Sequence, residues 1–162
     1  MKPLASAVLL LIALASTPPV AAADDPGLLR LASCQDSWLD WRRDETQMKR
    51  FADLVLGGFT RQDRSPAFIP QSPSSLLGFP ITELYPQSVG MGLGFSVAIT
   101  ASFDEARQGF EKLLGKPMAC SRGEGMRNCE LVLGEKKTAM LMAPDKAGSR
   151  QALVGCYYYY EK

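Results

Sequence analysis

Apolar and polar residues follow three different rhythms along this chain, and each predicts a different kind of element. Over residues 33–58, Trp38, Trp41, Met48, Phe51, Ala52, Val55 and then Phe59 recur at helical spacing, which places one apolar stripe on a long first helix. Asp36 or Ser37 can cap its start, and Gly57-Gly58 is a natural stop. A second helix opens at Ser102-Phe103-Asp104-Glu105, a capping box, carries Phe103, Ala106, Phe110, Leu113 and Leu114 on its inner face, and ends at Gly115. Ser102 and Glu105 are thereby explained as helix-start residues rather than as catalytic groups.

The second rhythm is alternation. Gly90, Gly92 and Gly94 alternate with Met91, Leu93 and Phe95, and Val97 and Ile99 continue the apolar face. Successive side chains of a strand point to opposite sides, so the three glycines share one bare face that admits close packing or a ligand, with Gly92 at its centre. The spacing does not fit a nucleotide-binding glycine loop, and a strand follows it where that motif needs a helix. Further strands are expected at 117–121, 127–133, 136–143 and 151–160, with turns at 121–128, at Gly134-Glu135 and at 144–148. The last strand ends in Tyr157-Tyr158-Tyr159-Tyr160. On a sheet covered from one side, one pair of these rings would be exposed, which suits a protein interface or carbohydrate stacking and makes Tyr158 and Tyr160 candidate binding residues. A strand covered on both sides would bury them.

The third pattern is the loss of rhythm. Pro66, Pro70, Pro73, Pro80 and Pro86 punctuate the region from about 60 to 86, which predicts a long irregular surface segment pinned by Phe68-Ile69 and by Leu76-Leu77-Gly78-Phe79. Phe68 is the candidate in this segment for gripping a partner. The expected fold is α+β: two helices packed on an antiparallel sheet of about five strands, stabilised by disulfides.

The beginning of the chain adds a destination. Met1-Lys2 precedes an apolar run from Leu4 to Ala15, and Ala21-Ala22-Ala23 before Asp24 offers small residues for cleavage. This is the layout of a signal peptide spanning 1–23, and its apolar run is shorter than the ~20 residues that cross a bilayer. Residues 24–162 then form one small exported domain, periplasmic or secreted after cleavage near Ala23. Leu31-Ala32-Ser33-Cys34 has the look of a lipidation box, but Asp24, Asp25 and Arg30 separate it from the apolar run, which argues against lipidation of Cys34.

Four cysteines in an exported chain predict two disulfides. Of the three possible pairings, Cys120–Cys129 would close a turn between two strands, and Cys34–Cys156 would tie the first helix to the last strand. No Cys-x-x-Cys pair and no histidine occur, so no metal site or cofactor is expected.

Charge and composition narrow the function. The 162 residues hold 18 Lys+Arg against 17 Asp+Glu, and loss of Lys2 with the signal brings them to parity. Such a balance gives no footprint for nucleic acid. The absence of histidine removes the usual Ser-His-Asp and Cys-His catalytic sets. Asp36, Asp40 and Asp44 recur every four residues and would share a helix face, but Arg42 and Arg43 lie alongside and favour a solvated surface. The expectation is a non-enzymatic protein-binding module, such as an inhibitor, immunity or envelope accessory protein, whose partner is an envelope or exported protein. A small-ligand or carbohydrate binder using Gly92 and the tyrosines is one alternative, and a carboxylate-dependent cell-wall hydrolase is another. No pattern in the chain sets an oligomeric state.

Overall fold

The computed structural model describes residues 23–37, 44–89 and 92–159. Residues 1–22 of the proposed signal peptide over 1–23, together with Trp38, Asp40, Trp41, Gly90 and Tyr160, lie outside the described residues. Among those described there are three helices, α1 (Pro26–Ala32), α2 (Glu45–Gly58) and α3 (Phe103–Leu114). The strands are β1 (Phe59–Arg61), β2 (Phe68–Pro70), β3 (Ser75–Leu76), β4 (Phe79–Val89), β5 (Gly92–Ile99), β6 (Ala119–Gly123), β7 (Met126–Gly134), β8 (Lys137–Pro144) and β9 (Ala152–Tyr159). The fold is α+β and disulfide-stabilised, but its sheet has nine strands rather than about five. They run in the order β1-β2-β4-β5-β9-β8-β7-β6, antiparallel throughout, with β3 paired to β4.

The additional strands come from the proline-rich region, which is sheet rather than an irregular surface segment. Proline disrupts a strand only where its missing N–H would have donated to a neighbour. Pro86 lies two residues beyond Leu84, the one β4 position that β2 pairs, so no ladder bond on that side needs its N–H. Pro70 ends β2, and Pro80 pairs with Ser75 in a two-residue hairpin arm. Asp24 anchors that arm, accepting from the Ser75 hydroxyl at 2.7 Å and from the Gly78 amide at 2.9 Å.

The long first helix is also corrected. Residues 26–32 form α1, started by Pro26 in its first turn and by the Asp25 carboxylate, which accepts from the Gly27 and Leu28 amides at 2.8 and 3.1 Å. Cys34 then takes a left-handed conformation, φ 61°, and the Gln35 and Asp36 amides both return to the Arg30 carbonyl, so the chain turns where a helix was expected to begin. The next described helix, α2, starts at Glu45. It leans on α1 at Gly27, where a Cβ would approach Leu54 to 3.0 Å.

The core lies between the helices and one face of the sheet. Leu28, Leu31 and Val55 meet Leu84, Phe95, Val97, Leu141, Val154 and Phe110, all essentially inaccessible. Cys34–Cys156 binds the end of α1 to the centre of this face, and Cys120–Cys129 joins directly opposed positions of β6 and β7. The β6–β7 turn is Glu124-Gly125, both at positive φ, which matches the twist of a tight hairpin.

Candidate functional site

Strand register fixes which side chains reach the other face of the sheet. With Phe95, Val97 and Ile99 inward, their partners Cys156, Val154 and Ala152 are inward too, and so are Leu141 and Ala139 of β8. The intervening residues therefore face away from the helices: Glu83 and Tyr85 on β4, Ser96 and Ala98 on β5, Leu153, Gly155 and Tyr157 on β9, Met140 and Met142 on β8, and Met126 on β7. No described helix packs on this side.

Small residues occupy its centre and large ones its flanks. Gly155 cannot be otherwise: a Cβ there would lie 2.4 Å from the Phe95 carbonyl oxygen and 2.7 Å from Ser96 Cβ. At Gly94 the bare face is filled by a neighbour, because a Cβ would sit 3.0 Å from the Tyr157 ring carbons. That packing is how a cross-strand aromatic ring compensates a glycine. Next to it runs a groove of about 320 Å³, lined by Ala98, Met126, Met142, Leu153, Tyr157 and Tyr85, with Thr82, Glu83, Ser96 and Gln151 supplying polar atoms.

One polar pair marks the groove. The bulge between Ile81 and Glu83 lets Thr82 donate to the Ala98 carbonyl at 3.3 Å and turns Glu83 into the groove. The Tyr85 hydroxyl donates to Glu83 Oε2. Partial burial, then this bond and the nearby negative charge, push the Tyr85 phenol up to about 12. The phenol therefore remains a protonated donor throughout the physiological range. Glu83 is the single carboxylate among the lining residues, so the paired acids of glycoside hydrolysis are not assembled here. The methionines offer flexible, polarizable walls that adapt to an apolar group.

Of the residues proposed from sequence, Tyr158, Phe68 and Gly92 do not line this groove, and Tyr160 lies outside the described residues. Tyr158 is 2% exposed on the helix side, and its hydroxyl donates to the Asp36 carbonyl at 3.0 Å. Its strand is central in the sheet and is covered there by α1 and the turn that follows, so the ring belongs to the core rather than to an exposed pair. Phe68 faces Leu84 on the core side and packs against the core. Gly92 starts β5 opposite Tyr159. The acidic trio is not one helix face: Asp36 follows α1 and pairs with Arg30 at 2.7 Å, whereas Asp44 directly precedes α2. Among the described residues, no three cysteine or carboxylate side chains gather as metal ligands.

Sequence reasoning missed Glu83, Tyr85, Met126, Met142 and Leu153. A signal was present for part of the set. Residues 139–143 and 152–158 are apolar almost without alternation, which in an antiparallel sheet means that both faces are covered or occupied. Glu83 and Tyr85 were masked by the prolines around them. Compared with protein-family models, curated proteins and solved structures, the chain matches none.

Proposed function

We propose that this chain is an exported, non-enzymatic protein-binding module of the periplasm, and that it receives part of its partner in the groove on the helix-free face of the sheet. The groove is the observation that carries this reading: apolar walls, adaptable methionine side chains and a few polar groups, on a rigid sheet floor. Export is supported by the apolar start of the chain with its Ala21-Ala22-Ala23 site, by two disulfides, and by the absence, among the described residues, of a helix long and apolar enough to cross a membrane. An inhibitor, an immunity protein and an envelope accessory protein each act by binding a partner protein.

The test is capture of partners from envelope extract on the immobilised, oxidised chain lacking residues 1–23, alongside two variants. Ala98→Trp fills the groove, and Leu56→Lys alters an exposed position of α2 as a control. One stoichiometric protein retained by the unmodified chain and by Leu56→Lys, but lost with Ala98→Trp at an unchanged thermal midpoint, is the expected result. Equal retention by all three, or an empty column, overturns the reading.

A further inference from the structure

We propose that the group the groove receives is an arginine side chain presented by the partner protein; this deepens the binding reading above and rests on it. The first reason is charge. At register positions on the helix-free face, from β6 across to β2, the charged residues are Glu83 and Glu130, and no described lysine or arginine occupies one. In a chain with 18 basic and 17 acidic residues, the described register positions of this face thus carry acid and no base.

The second reason is desolvation. Tyr85 takes Oε2 of Glu83, and no other described group donates to that carboxylate. A purely apolar occupant would strip water from Glu83 and return nothing, which is costly for an ionised group. An occupant that seals the groove must therefore bring donors and positive charge to its polar end. The third reason is shape. At about 320 Å³ the groove is near the lower end of the usual range for ligand cavities, roughly 300–1,000 Å³, and suits one long side chain rather than an extended ligand.

Arginine meets all three conditions better than lysine. Its methylene stem lies well against Met126, Met142 and Leu153, and its flat guanidinium can pair with a carboxylate through two N–H groups while stacking on an aromatic ring such as Tyr85. The guanidinium is also more weakly hydrated than an ammonium, so less is lost when the groove closes over it.

The probe is the peptide acetyl-Gly-Ala-Arg-Ala-Gly-amide, titrated into the oxidised chain and followed by amide chemical shifts. It is compared with the same peptide carrying citrulline, which keeps the shape and removes the charge, and with one carrying lysine. Saturable shifts at Glu83, Tyr85 and Ala98 are expected, with affinity about tenfold weaker for citrulline and intermediate for lysine. Glu83→Gln should erase the preference for arginine over citrulline without moving the thermal midpoint. Equal affinities for arginine and citrulline, a preference that survives Glu83→Gln, or no saturable shift on this face each overturns the assignment. The capture experiment separates the two readings. A partner lost with Ala98→Trp but fully retained by Glu83→Gln refutes arginine and leaves the binding function standing. A partner indifferent to Ala98→Trp refutes both.

Discussion

Gly155, Tyr158 and Tyr85 show three ways in which a single residue is constrained here. At Gly155 the limit is backbone contact: the Phe95 carbonyl and Ser96 leave no room for a Cβ, and neither is the movable end of a side chain. Gly155→Ala should cost on the order of 2–3 kcal/mol, read from the midpoint of urea unfolding. At Tyr158 the limit is burial, so Tyr158→Ser should cost about 3–5 kcal/mol by the same measurement, as large-to-small changes in a core do. An unchanged midpoint would mean that the ring is not in the core. At Tyr85 the constraint is protonation. Its phenol is pushed from 10.0 to about 12, so the folded state keeps a proton that the unfolded chain loses. The contribution is complete below pH 10.0 and disappears as pH rises towards about 12. The ring is partly open to solvent, and screening reduces the effect to on the order of 1 kcal/mol. Unfolding measured across that window should show a loss of stability that Tyr85→Phe diminishes.

At the scale of elements, α3 was fully legible because its signals are local. Ser102 Oγ accepts from the Glu105 amide at 3.3 Å, Glu105 Oε2 accepts from the Ser102 amide at 2.8 Å, and Gly115 closes the helix at φ 68°. Ser102→Ala should cost about 1 kcal/mol, measured by urea unfolding. The hydrogen bonds from the Ser102 side chain and backbone hold the Glu105 carboxyl below its ordinary range, with a smaller contribution from the Arg150 charge. Its share of stability is therefore complete above the ordinary carboxyl value and fades as pH falls through the lowered one. The first helical region was less legible, since its expected start at residue 33 falls on a turn that Cys34 makes at positive φ and that its disulfide ties to β9. The strands of the proline-rich region were illegible for a different reason. Whether a proline breaks a ladder depends on which neighbour needs its N–H, and the neighbours of Pro86 are set by β2 and β5 together.

For the whole molecule, the two disulfides carry different loads. Cys34–Cys156 spans 122 residues and Cys120–Cys129 spans 9. Loop-closure entropy then assigns about 5 kcal/mol to the first and about 3 kcal/mol to the second. The double variants Cys34→Ser/Cys156→Ser and Cys120→Ser/Cys129→Ser should follow that order in urea midpoint, and equal losses would contradict it. The long crosslink also holds α1 to β9 on the core side, behind the sheet that forms the groove floor.

What the amino-acid order alone determined was local: the capped α3, the alternating β5, the hairpins of the second half and an even set of cysteines. These follow from interactions between residues a few positions apart. The groove is of another kind. Glu83 and Tyr85 come from β4, Met126 and Met142 from β7 and β8, and Leu153 from β9, and they share a wall because of the strand order. Alternation divides a strand into two faces, but it does not say which face the helices will cover or which strand will lie at the centre. Those choices were made when distant segments packed, and they turned Tyr158 inward and Tyr85 towards the open groove.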